Sequence, residues 1–316
     1  MRRLAQVAAG SLACVRVLVT GASGFLGGFA CAELHARGHA VTALVRRPGS
    51  APGGCEELHG DLADGDPAAL SAALVAAQPD CLLHLAAEIA TQRDAARIAA
   101  INVAGTARLL EACAAAGAPK VVFASTVVTG DARGELLDEQ TALPVETAYG
   151  RSKQEGERLL RASGLAGVVV RPSHVYGPGG WFAHELVRRL RQPGRFAVVG
   201  RGGNWWDVVH VADVARALCD AAESAPAGST YHVVDDAPIR LSEFAATVAT
   251  ALGIGRPRHV PVALARLAAG REPVAAVTRS ARSSNARIKR ELGWSPRYPT
   301  AAEGVPAAVA ALMSTS

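Results

Sequence analysis

The chain has 316 residues, 50% of them apolar and 19% charged. That composition excludes a disordered protein and allows one large core, or a main domain with a smaller appendage. The formal charge is +5, but the 33 lysines and arginines are scattered and rarely interleaved with aromatics, so an anionic cofactor rather than nucleic acid is the expected partner. No run reaches the roughly 20 apolar residues of a membrane span. The six cysteines show no CxxC pair, which argues against a zinc site or a disulfide framework and for reduced thiols in a cytoplasmic protein.

The first 14 residues, "MRRLAQVAAGSLAC", loosely resemble a secretory or lipoprotein signal. The strand-like "VRVLVTGASG" follows without a spacer, so residues 1–14 read as a disordered tail, or as a mis-assigned start with Val15 the alternative. From Arg16 to Val170 short β-branched runs ("RVLVT", "AVTALV", "CEELHG", "CLLHLA", "KVVFAS", "GVVVRP") are separated by alanine-rich stretches with helical character. These are "GFLGGFACAELHARG", "DPAALSAALVAAQ", "NVAGTARLLEACAAAG" and "AYGRSKQEGERLLRASG". Strands alternating with helices predict a doubly wound α/β domain with a parallel sheet, over residues 15–171. After Pro172 the turns become Gly- and Pro-rich, and residues 172–316 are expected to form a smaller α/β substrate lobe. The segment near 207–236 is expected to pack back on the first domain, leaving a ligand cleft between the lobes.

"VTGASGFLGG" places Gly21, Gly24 and Gly27 between the first strand and the first helix, where backbone can approach a pyrophosphate held at a helix N-terminus. The second strand ends at Val45, followed by Arg46 and Arg47 instead of the acid that binds an adenosine ribose diol. This favours NADP(H) and leaves NAD(H) possible; the alternative is two solvated arginines on a loop. Asp61 in "HGDLAD" is placed to accept from the adenine amine, and Ala86 and Ala87 in "LLHLAAE" let a cofactor lie close. His84 reads as a packed strand histidine. Tyr149 and Lys153 are four apart on a predicted helix and point the same way, and Ser125 ends the fifth strand just upstream of it.

With these motifs in order, together with "NVAGT", "RPSHVYGPGG", "VHVADVA" and "LGWSPRYP", the chain from Arg16 to about Gly304 resembles the extended short-chain dehydrogenases/reductases, the NAD(P)-dependent epimerase/dehydratase family. The resemblance implies a Rossmann domain and a catalytic Ser125, Tyr149 and Lys153. Tyr149 would move a proton while hydride passes to or from the nicotinamide, Ser125 would bond the substrate oxygen, and Asn102 would support the adjacent helix. It further implies a cofactor lined by Gly21, Ser23, Gly24, Phe25, Leu26, Gly27, Arg46, Arg47, Asp61, Leu62, Leu85, Ala86, Ala87, Tyr149, Lys153, Pro172, His174 and Val175, and a homodimer.

The substrate side departs from the nucleotide-sugar enzymes of that family. Trp206 stands where they have an arginine that grips a diphosphate, His174 where they have an asparagine, and Thr129 where many have a tyrosine. No acid pair follows Ser125 as a dehydratase would need. The pattern is closer to dihydroflavonol reductases and 3β-hydroxysteroid dehydrogenases, which implies an apolar ketone or alcohol as the small-molecule substrate, met by Glu88, Thr126, Val127, His174, Trp205 and Trp206. For at least one of Trp205 and Trp206 a packing role is the alternative, since neighbours on an extended segment point to opposite sides; His174 contacts substrate or only hydrogen-bonds locally, and Glu88 is a pocket acid or a solvated one. A nucleotide-sugar epimerase or dehydratase is the competing function.

Overall fold

A computed structural model describes residues 14–63, 66–89, 92, 94–117, 119–192 and 196–314; the expectation for residues 1–14 therefore lies, but for Cys14, outside the described residues. Seven strands, Arg16–Thr20 (β1), Ala40–Val45 (β2), Glu56–His59 (β3), Cys81–His84 (β4), Lys120–Ala124 (β5), Gly167–Pro172 (β6) and Thr230–Val233 (β7), make one sheet. Its order is β7-β6-β5-β4-β1-β2-β3, and every pairing is parallel. The chain runs outward from β1 to β3, then returns to lay β4 on the other side of β1. The carboxyl ends of β1 and β4 thus flank the switch point where a crevice opens.

Alternation along the strands feeds two cores. Val17 and Val19 of β1 join Ala30, Cys31 and Leu34 of the helix Phe25–Ala36 (α1). Leu18 faces the opposite side, with Leu109, Leu110 and Cys113 of Thr106–Ala115 and Leu160 of Ala148–Ala162 (α2). A helix begins at Ala95, earlier than the "NVAGT" pattern predicts, because the Asp94 carboxylate accepts from the amides of Ala96 and Arg97 and caps it. With a π-helical segment at Ala100–Gly105 it continues to Ala115. Its 21 residues are long and apolar enough to match a membrane span by length and composition, which corrects the expectation that no stretch is; Leu109, Leu110 and Cys113 pack into the second core.

The segment after Pro172 serves both lobes. Helix Val211–Ser224 (α3) and β7 supply Val214, Leu218, Tyr231 and Val233 to the first core. Asp213, fully buried, ties down the distant "LGWSPRYP" motif by accepting from the amides of Arg297 at 2.5 Å and Tyr298 at 3.0 Å. A third core gathers Tyr176, Phe182, Trp206, Phe244 and Val305 in the smaller lobe. Short parallel pairs, His174–Tyr176 with Val208–His210 and Leu136–Leu137 with Arg282–Ser283, stitch that lobe to the loops above the sheet.

Candidate active site

A cavity of about 700 Å³ runs along the carboxyl ends of the strands, within the range of small-molecule sites. At its floor Gly21 adopts φ +72°, and a Cβ there would meet the Ala86 amide nitrogen at 2.7 Å. A Cβ on Gly27 would lie 2.1 Å from the Gly21 carbonyl oxygen. Backbone is packed on backbone here, and the cradle exists because no side chain fills it, which fits a pyrophosphate at the start of α1. The neighbouring strand ends are locked by His84. Its Nε2 donates to Thr106 Oγ1, which itself donates to the Asn102 carbonyl, and its Nδ1 accepts from Thr20 Oγ1. Thr20 in turn receives the Ala86 amide. Burial pushes the imidazole down to about 3, so it stays neutral and structural.

Beyond the end of β2, Arg46 borders the cavity and Arg47 does not, although both are exposed. Glu57 of β3 shapes their loop by accepting from the amides of Gly49 and Ala51, and among the described residues neither arginine is in an ion pair. Asp61 lines the cavity and accepts from the Ala63 amide at 2.8 Å. Ser23, Gly24, Phe25, Leu26, Leu62, Leu85, Ala87, Pro172 and Val175 also line it.

Helix α2 is N-capped by Thr147, whose Oγ1 accepts from the Gly150 amide. Tyr149 and Lys153 both reach the cavity. Lys153 is buried, donates to the Ala124 carbonyl at 2.8 Å and sits 5.9 Å from the Tyr149 ring centre; burial holds its ammonium down at about 8. Burial pushes the Tyr149 phenol up to about 12, and the charge that opposes this is Arg279. Asn102 accepts from the Glu88 amide and donates to the Glu88 carbonyl and to Ser152 Oγ, bracing α2 against the end of β4.

Ser125 lines the cavity, with its hydroxyl already engaged. Its hydroxyl donates to Glu157 Oε1 at 2.6 Å, on the helix that carries Tyr149. Glu157, 2% exposed, also takes both arms of Arg171 and one of Arg161. A buried carboxylate needs such donors, and it claims the serine expected to bond substrate. Thr126 lines the cavity beside it, its hydroxyl donating to the Pro172 carbonyl. Val127 is buried behind that wall rather than lining it.

At the other end of the cavity Trp206 stacks on His174 with ring centres 3.8 Å apart and an angle of 18°. His174 Nδ1 is 2.7 Å from the Asp207 carbonyl, which can only accept, so the proton is on Nδ1 and Nε2 accepts from the Arg279 guanidinium. Trp205 does not line the cavity; its ring lies 3.4 Å from the Arg240 guanidinium and 5.1 Å from that of Arg282. Glu88 lines the cavity while ion-paired with Arg97 at 2.7 Å. The sequence pattern around Trp206 and His174 suggests a cleft without a cation, but Arg279 is brought there from far along the chain, together with Ala276, Val277 and Trp181. Arg279 follows a helix in a loop without periodicity; of these four, only the aromatic Trp181 in "GPGGW" carries a signal legible in the sequence.

Residues 17–234 match the model of the NAD dependent epimerase/dehydratase family. The chain is 34% identical over 304 residues to a 3-diazoavenalumate denitrifying reductase of a Streptomyces species, covering 92% of this chain and 99% of the relative. It is 32% identical to a 4-hydroxy-2-methyl-3-oxo-4-farnesyl-3,4-dihydroquinoline-1-oxide ketoreductase of Stigmatella aurantiaca, over 81% of this chain and 79% of that one. Among solved structures, the UDP-glucose 4-epimerase of Thermus thermophilus in complex with NAD superposes with a TM-score of 0.80 at 27% identity, covering 95% of this chain and all of the other.

Proposed function

From its place in the NAD dependent epimerase/dehydratase family, to which the chain belongs, we propose that this protein, an NAD(P)-dependent oxidoreductase of the extended short-chain type, is an NADP-dependent reductase of a ketone on a largely apolar molecule. The observation that carries the reading is the Trp206–His174 stack, joined by Trp181, in the wall of the cavity that Tyr149 also lines. A flat aromatic wall offers a large apolar contact area to a substrate body. Two relatives are themselves named as reductases.

The chain's own groups suit that direction. The Tyr149 phenol, raised by burial, is protonated at neutral pH and has a proton to give to a substrate oxygen. As the proton leaves, Arg279 and Lys153 provide the positive charge that stabilises the phenolate. Ser125 fastens β5 to α2 through Glu157 and so sets the bearing of the helix that holds Tyr149 and Lys153. The Gly21–Gly27 cradle would hold the cofactor pyrophosphate, Asp61 the adenine and Arg46 a 2′-phosphate; the nicotinamide, when bound, supplies the hydride. The same reading includes a cytoplasmic location and a homodimer paired through residues 102–113 and 148–160; light scattering on the purified protein checks the dimer.

A nucleotide-sugar epimerase is the second reading, favoured by the cation at Arg279 and by the likeness to the Thermus enzyme. Loss of NADPH absorbance with a panel of aromatic, steroidal and aliphatic ketones, against UDP-sugar controls, decides between the two. Stoichiometric NADPH consumption with a ketone is expected, and protection from unfolding by UDP without ketone turnover would overturn it. Arg46→Ala should weaken NADP about tenfold while leaving NAD within about twofold; equal losses remove the 2′-phosphate assignment.

A further inference from the structure

We propose that Arg279 is the substrate's anion handle, and that the substrate is an aryl or otherwise conjugated carboxylic acid whose carboxylate meets Arg279 while its carbonyl is presented to Tyr149. The proposal rests on the reductase reading only for which carbonyl reacts.

Arg279 is built into the wall rather than laid across it. The Asn204 side-chain amide donates to the carbonyls of both Val277 and Arg279, and the Ser280 amide donates to Asp131 Oδ1. The loop bearing the guanidinium is thereby pinned to the segment bearing the aromatic pair. The guanidinium carries five donors. It gives a hydrogen bond to neutral His174 and lies 5.6 Å from the Trp206 ring centre. Among the described residues no carboxylate is within ion-pair reach of it, and Glu146, Asp207 and Asp131 act on it only through space. Such a charge in a mostly apolar cleft is costly unless something pairs with it.

The number of charges selects the ligand. Of the other cations on the cavity wall, Lys153 donates to the Ala124 carbonyl and Arg46 stands at the adenosine end. Of the acids on that wall, Asp61 stands near Arg46's end, and Glu88 and Glu185 are paired with Arg97 and Arg189. Arg279 is the cation set among Trp206, Ala276 and Val277, a lining that suits a single negative charge on a flat apolar body. A diphosphate, with two or more charges, would ask for a second cation. A guanidinium also offers parallel donors that match the two oxygens of a carboxylate.

The test is calorimetric titration of the NADP⁺-saturated protein with benzoate, 3-phenylpropionate and 4-phenylbutyrate, each against its amide. At least one acid is expected to bind about tenfold or more tighter than its amide. Arg279→Gln should abolish that preference while affinity for NADP⁺ stays within about twofold, and Arg279→Lys should restore part of it. If no acid binds better than its amide, if the preference survives in Arg279→Gln, or if UDP and not the acids binds in an Arg279-dependent way, the proposal is overturned. If the preference holds and no keto acid is reduced, the handle stands and the reductase reading fails.

Discussion

At the cofactor end of the cleft each wall is a strand end and the turn that follows it, so the demands fall on neighbouring residues: a positive φ at Gly21 and an absent side chain at Gly27. At the substrate end the wall is made by His174, Trp206 and Arg279, the first and last 105 positions apart and joined only by tertiary contact. A backbone requirement is written locally and survives as a motif. A side-chain requirement can be met from any loop that the fold delivers. The first end therefore reports the class of enzyme, and the second reports what that enzyme acts on.

Tyr149 stands where the two ends meet, and its replacement should separate them most sharply. Tyr149→Phe removes the proposed proton donor and keeps the ring, so turnover should fall by about 10² to 10⁴-fold, while NADP⁺ affinity, followed by fluorescence titration, stays within about twofold. A matching loss of cofactor affinity would assign the hydroxyl to the cofactor wall instead.

The support beneath both ends is Glu157. Burial raises its carboxyl, but the hydrogen bonds and charge of Arg171, with Ser125 and Arg161, outweigh that and hold it below its usual range. A carboxylate depressed in the folded state contributes stability above its unfolded pKa, near 4.3, and loses it as pH falls through the lower folded value. Glu157→Gln leaves the Arg171 guanidinium buried without its counter-charge and should cost about 3 to 5 kcal/mol in urea unfolding at pH 7. The gap from wild type should narrow below about pH 4. A gap that is independent of pH would mean that shape, not charge, is what Glu157 provides.

The same division explains how much is legible before folding. "RVLVT", "AVTALV" and "GVVVRP" coincide with β1, β2 and β6 residue for residue, because strands of a buried parallel sheet are short apolar runs with little else to confuse them. The start of the helix at Ala95 is written in Asp94, a capping residue, but the irregular apolar spacing that follows hides it. Ser125 is recognisable as the end of a strand beside the site, yet its partner Glu157 lies 32 positions on, so the direction of its hydroxyl is not. Arg279 has no local signal. Its position is set by Asn204, in another loop.

The smallest effects should come from the adjacent tryptophans, which the fold sends to different ends of the problem. Trp205, half-buried, holds Arg240 and Arg282 against its ring outside the cavity. Trp205→Ala should lower stability by about 1 to 2 kcal/mol and leave KM for the best ketone unchanged. Trp206, 8% exposed, faces His174 and the cavity, and Trp206→Phe keeps an aromatic ring in the third core while shortening the wall. It should raise KM by roughly five- to tenfold, or about 1 kcal/mol, with less than about 1 kcal/mol of stability lost. Steady-state kinetics and thermal unfolding on the two variants read both quantities. If Trp205→Ala moves KM and Trp206→Phe does not, the aromatic wall of the substrate end has been drawn from the wrong ring.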